Sequence, residues 1–186
     1  MSVVSWAKQT VDPKRKYRFR MYFGTGALKY YYVKTAMLPK ANVSVVEHSY
    51  FDYNFKFPGR VTWDPITVTM VAPADPTEDP TNELYKILLR AGYRFPNLAT
   101  GEQLSLSKQG FQQANFSNIK LQTVGANGEQ LDEWTLNNAF LTNIDFGGSL
   151  EYASDDLIEV SFEINFDWAT KTDSNSATPG GTSPAF

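Results

Sequence analysis

The chain has 186 residues, no cysteine and a formal net charge of −3. Without thiols it can form neither a disulfide nor a thiolate metal site, and it lacks the basic surplus of a protein that grips nucleic acid through phosphates. No apolar run approaches the roughly 18 residues of a membrane span, and residues 1–20 lack the apolar core of a signal peptide, so a protein made and assembled in a cytoplasm is expected.

The length fits one domain with extensions, and an aromatic content of 15% supplies a sizeable core. Tyr17, Phe19, Met21 and Phe23 alternate with Arg18, Arg20 and Tyr22, the period of a strand. Gly24-Thr25-Gly26 signals a turn, after which Tyr30 to Val33 predicts a second strand paired with the first and ended by Pro39. Val43 to Ser49 and Tyr53 to Phe57 are strand-like, with a turn predicted at Pro58-Gly59, and Ile66, Val68 and Met70 mark a further strand. Ala72 to Thr81 carries Pro73, Pro76 and Pro80 with three acids and reads as a stiff, solvated connector. It ends in a helix start, Asp79 as N-cap and Pro80 at the first helical position. Leu84, Ile87, Leu88 and Ala91 form one helical stripe, and Gly92 is the stop.

Residues 96–115 are polar and weakly patterned, which predicts a loop or insertion and leaves one long helix in the chain. Phe116 to Val124 predicts a strand, and Asn127-Gly128 a tight turn into Gln130–Leu136. Phe140 to Phe146 leads through Gly147-Gly148 to the longest signal, Leu157 to Trp168. There Ile158, Val160, Phe162, Ile164, Phe166 and Trp168 alternate with Glu159, Ser161, Glu163, Asn165 and Asp167. Read as one strand it spans roughly 35 Å, with one apolar and one acidic face. Such a strand suits a sheet that lines something wet. Residues 1–169 are expected to form the folded domain. Residues 170–186, rich in Ser, Thr, Gly and Pro, are expected to be a C-terminal extension with little to bury.

Four motifs, in this order, resemble the tail tube proteins of contractile-tailed phages, which share a fold with the inner tube proteins of type VI secretion systems. They are Lys34-Thr35-Ala36-Met37-Leu38-Pro39, Arg60 to Met70 with Trp63, Trp134 to Phe140, and Gly148 to Val160 running into the closing strand. The resemblance covers roughly residues 15–169. It implies a mainly β fold, an antiparallel sandwich or barrel-like protomer with one flanking helix. It further implies hexameric rings stacked into a tube whose lumen conducts viral DNA without specific binding, in a virion tail assembled in the host cytoplasm. Tail sheath, baseplate and tail terminator proteins are the implied partners. An inner tube of a type VI or other contractile injection system, and a baseplate tube initiator, are the nearest alternatives. A monomeric β-sandwich binding module is a more distant one.

On that reading Glu159, Glu163 and Asp167 are lumen-facing candidates, where an acidic wall would keep DNA from sticking; the plain alternative is an outer solvated face. Tyr50, Phe51, Tyr53, Phe55 and Phe57 form an aromatic excursion, and the resemblance implies that it contacts the next ring; local core packing is the alternative. His48, the only histidine, has no second ligand at metal-site spacing. Asp75, Glu78 and Asp79 lack a calcium-loop pattern, and Gly24 to Leu28 lacks the Lys-Ser/Thr ending of a phosphate loop. No nucleophile elbow or acid pair of recognisable pattern is present, so no cofactor, no metal and no enzymatic activity are expected.

Overall fold

Ten strands and two α-helices follow one another in the computed structural model, which describes residues 13–95 and 105–173 apart from Thr25, Ala27 and Ser154. The strands are β1 (Phe19–Tyr22), β2 (Val33–Ala36), β3 (Ala41–Tyr50), β4 (Tyr53–Trp63), β5 (Ile66–Val71), β6 (Ile119–Val124), β7 (Gln130–Asn137), β8 (Phe140–Asp145), β9 (Glu159–Asn165) and β10 (Trp168–Asp173). The helices are α1 (Pro80–Arg90) and α2 (Lys108–Gln113).

Two four-stranded antiparallel sheets form, one in the order β1-β6-β7-β10 and the other β2-β5-β9-β8, while among the described residues β3 and β4 pair only with each other. The pleat explains the core. Ile66, Val68 and Met70 of β5 and Val160, Phe162 and Ile164 of β9 all point inward, next to Met21, Ile119, Leu121 and Leu136 of the other sheet. Phe23 stacks on Phe116 at 6.1 Å and tilts against Phe162 at 5.9 Å, closing the core between the layers. The fold is thus the mainly β, antiparallel sandwich that the resemblance implied, with two helices rather than one.

Helix α1 forms as its signals dictate. The Asp79 carboxylate accepts a hydrogen bond from the Thr81 amide at 2.9 Å, and Leu84, Ile87 and Ala91 are buried while Leu88 is half-buried. Gly92 follows at φ +116°, the left-handed position that ends helices.

Several expectations are corrected. Tyr30–Tyr32 is a single 3-10 turn rather than a strand, and the strand that follows, β2, pairs with β5 rather than β1. The stretch 96–115 is not all loop. Ser107 accepts from the Gly110 amide at 3.0 Å and caps α2, which packs on α1. Gly110 permits that approach, since a Cβ there would stand 2.3 Å from the Ala91 carbonyl oxygen. Residues 96–104 lie outside the described residues.

Pro58-Gly59 is no turn but lies inside β4. Val43 pairs with Val61 and Val45 with Pro58, so Gly59 and Arg60 together oppose Ser44 in a β-bulge. The hairpin turns instead at Phe51 and Asp52. Finally, the run ending at Trp168 is two strands in two different sheets. The chain breaks pairing at Phe166, which is buried against Trp63 at 5.9 Å, and Asp167 donates its amide to the Asn137 carbonyl. From Trp168 the chain pairs with β7. Alternation survives the crossover, so periodicity alone could not reveal it. Its apolar face is correspondingly shorter than expected, for Ile158 and Trp168 are each 47% exposed. Strand β10 runs on through Thr170 to Asp173, the first four residues of the expected extension; residues 174–186 lie outside the described residues.

Candidate assembly surfaces

The β3–β4 hairpin is the most conspicuous feature outside the sandwich. Its strands are 10 and 11 residues long, which at ~3.3 Å per residue gives a reach of roughly 33 Å. Beyond its base neither strand packs extensively on another described element. Cross-strand partners share a face, so the pairs Val46–Phe57, His48–Phe55 and Tyr50–Tyr53 build one aromatic face. Glu47–Lys56 and Ser49–Asn54 build a polar one, with a Lys56–Glu47 ion pair at 3.4 Å. The bulge reverses the phase of β4. Trp63, in step with Tyr53, Phe55 and Phe57 by odd numbering, falls on the opposite face and packs on the core.

All the candidate contact residues are solvent-exposed. Phe51 at the tip is 86% exposed, Tyr53 70%, and Tyr50, Phe55 and Phe57 each about half or more. The alternative of local core packing is therefore not met. Phe51 also sits at φ +52°, an uncommon conformation for a bulky residue, with its ring edge-on to Tyr50 at 4.6 Å. Val43, Val45 and Val61 nearer the base are exposed as well and were not singled out by the sequence. Their apolar character looks like ordinary strand propensity until their exposure is seen.

The second surface is the outer face of the sheet β2-β5-β9-β8. Glu159 and Glu163 lie there, on the face of β9 opposite its buried residues, roughly 13 Å apart along the strand. Asp167 does not join them, because it lies in the β9–β10 crossover beside α2. There Lys108 donates at 2.6 Å and Asn138 at 2.9 Å, holding the Asp167 carboxyl below its ordinary value. Lys34 of β2 ion-pairs with Glu159, so this face is less acidic than its carboxylates alone suggest.

A third feature escaped the sequence altogether. Tyr22, Tyr30, Tyr31 and Tyr32 form a run of ring contacts at 4.5–5.6 Å between neighbours. The Tyr32 hydroxyl donates to Glu78 at 2.6 Å, which raises the pKa of its phenol and ties the 3-10 turn to the connector before α1. Among the described residues no group of three or more His, Cys, Asp or Glu side chains is arranged to hold a metal ion. No helix among them is long and apolar enough to cross a membrane.

No family model and no curated protein matches the chain. Solved structures do. A chain of the anti-feeding prophage (AFP) tube-terminating cap is similar at 17% identity with a TM-score of 0.65, over 94% of this chain and 100% of the other. A chain of the sheath/tube terminator of PVC, an extracellular contractile injection system, in its extended state is similar at 18% identity and 0.63, over 88% and 99%. One from the extended PVC sheath-tube complex is similar at 18% and 0.62, over 92% and 99%. At such identities the likeness concerns the fold, and the chain has a contractile-tail tube-like fold.

Proposed function

We propose that this chain is the structural subunit of a tube in a contractile tail or injection machine. Six copies close into a ring, rings stack, and the bore conducts cargo. The observation that carries this is the β3–β4 hairpin, a long arm whose aromatic face is exposed and packs on no other element among the described residues. Exposed apolar patches of this kind mark contacts, and here the arm extends a sandwich matched along nearly all its length by chains from tube, cap and terminator structures.

In this reading Tyr50, Phe51, Tyr53 and Phe55 contact the next ring, and the Glu159–Glu163 face lines the bore, with Asp167 near its end. Sheath, baseplate and terminator proteins are the partners, in keeping with the sheath-tube, baseplate and terminator assemblies from which the similar chains come. Two forms of the machine differ in location and cargo. In a phage virion tail, assembled in the host cytoplasm, the cargo is viral DNA. The likeness to AFP and PVC chains favours the second form, a contractile injection system.

Native mass spectrometry over a concentration series tests the ring. The expected species is six times the 20.9 kDa protomer, together with its multiples. A protein that stays a 20.9 kDa monomer at millimolar concentration contradicts the proposal and leaves a monomeric sandwich module as the reading.

A further inference from the structure

Two exposed apolar clusters stand at opposite ends of the sheet β2-β5-β9-β8, and the strand register fixes their places. The β3–β4 hairpin joins the sheet beyond the row Ile66–Ile164–Leu141, for Trp63 precedes Ile66 and packs on Phe166, just past Ile164. The β8–β9 loop leaves at the other end, after Asp145 and before Glu159, which pairs with Val71. From the row of Ile66 to the row of Val71 the sheet is roughly 17 Å long, about half the reach of the arm.

The loop has the chemistry of a receptor for that arm. Phe146, Leu150, Tyr152, Leu157 and Ile158 are all exposed, Leu150 by 80%. Leu150, Leu157 and Ile158 line a cavity of about 280 Å³, with Glu151 and Asp156 beside them. Between Phe146 and Ile158 the acids are Glu151, Asp155 and Asp156, and the stretch holds no Lys or Arg. The aromatic face of the hairpin is apolar and carries hydrogen-bond donors, the Tyr50 and Tyr53 hydroxyls and the His48 imidazole, while the exposed Arg60 in the bulge adds a cation. The arm's own acids are set apart from that face, Glu47 pairing with Lys56 on the polar side and Asp52 lying in the turn. An apolar surface with donors thus meets an apolar surface with carboxylate acceptors.

We infer that the aromatic face of the β3–β4 hairpin docks on the β8–β9 loop of a copy in the next ring, with Tyr53 and Phe55 against Leu150 and Leu157. The inference rests on the ring-stack reading above and names the surface that receives the arm. Rings stacked by one repeated operation meet unlike end to unlike end, so a copy placed on the hairpin end turns its loop end towards the arm. The contact joins two different surfaces and is therefore heterologous, and it propagates along a tube.

The absence of native cysteine allows a direct test. His48→Cys and Ser149→Cys lie beside the apolar anchors and leave them in place. They are made singly, on chains with different tags, mixed under assembly conditions and oxidised. A disulfide-linked heterodimer is expected, at a yield far above the homodimers from either variant alone. In a second arm, Leu150→Asp should leave rings intact and raise the concentration needed for stacking by about tenfold or more, the loss of one covered apolar anchor. Thiol alkylation of Ser149→Cys should be fast in single rings and slow in stacks.

Stacked rings seen by electron microscopy without the heterodimer, or with Ser149→Cys still alkylated fast, would overturn the contact and leave the ring-stack reading intact. An intramolecular disulfide in a dilute double variant would place the arm on its own loop and also overturn it. Wild-type protein that forms no stack defeats both.

Discussion

Asp132 is a charged side chain inside the first sheet, 7% exposed. Lys14 forms an ion pair with it, Lys171 approaches at 3.3 Å, and the Thr123 hydroxyl donates at 3.3 Å. The Lys14 hydrogen bond is the main reason its carboxyl is pulled from 3.8 down to about 2. A depressed folded value means that the group stabilises the fold above its unfolded value and loses that contribution as pH falls through the folded one. The window is therefore roughly pH 4 to 2, and the stake is on the order of 2 kcal/mol. Asp132→Asn should cost about that much at pH 7 in urea unfolding, and the gap between wild type and variant should shrink towards zero near pH 2. An equal gap at pH 7 and pH 2 would show that the ion pairs are not its source. The network also ties the segment before β1 to β7 and β10, since Lys14, Asp132 and Lys171 come from three separate stretches of chain. Asp132 keeps the phase of Trp134 and Leu136 along β7, so this carboxylate stands at the end of the strand's inward face, and only the lysines from distant stretches explain how it is held there.

At the scale of elements, what the sequence revealed depended on how much local signal each piece carries. Helix α1 was legible because three independent signals agree, the Asp79 cap, Pro80 and the stripe from Leu84 to Ala91. Helix α2 was not, because six residues make fewer than two turns and Gly110 is a poor helix former retained for its contact with Ala91. The strands β3 and β4 were legible from composition. Their bulge was not, since Pro58-Gly59 has the same composition as a turn and only pairing with Ser44 distinguishes the two. The candidate site divides in the same way. The aromatic hairpin could be named residue by residue, whereas the separation of Asp167 from Glu159 and Glu163 depends on a crossover that leaves periodicity unchanged. Removing the hairpin's aromatic side chains should act on assembly alone. Tyr50→Ser, Tyr53→Ser and Phe55→Ser combined should shift protomer stability by no more than about 1 kcal/mol, as expected of exposed positions. Rings should still form and should fail to stack, because each aromatic ring contributes roughly 1.5–3 kcal/mol only when it is covered. Unfolding of the triple variant, seen by circular dichroism, would make the hairpin part of the core and refute its role between rings.

The described residues form a two-layer sandwich whose edge strands β1, β2, β8 and β10 each pair with one strand among them, and an arm that leaves it. Open edges invite pairing with another chain, and a closed ring is one arrangement that removes them. The arm is built from β3 and β4 and the sheet edges from β1, β2, β8 and β10, so on the proposed function separate strands serve growth around a ring and growth from ring to ring. On the proposed function, the contact between rings accounts for a sandwich that buries Phe116, Phe162 and Met21 completely and still exposes Phe51 and Tyr53. The most direct test is a cryo-electron microscopy reconstruction of the purified protein at high concentration. Stacked sixfold rings around an open bore are predicted, with the Glu159–Glu163 face of β9 on the bore and the β3–β4 hairpin bridging adjacent rings. Monodisperse single protomers, or rings in which the hairpin folds back on its own sandwich, would contradict the account.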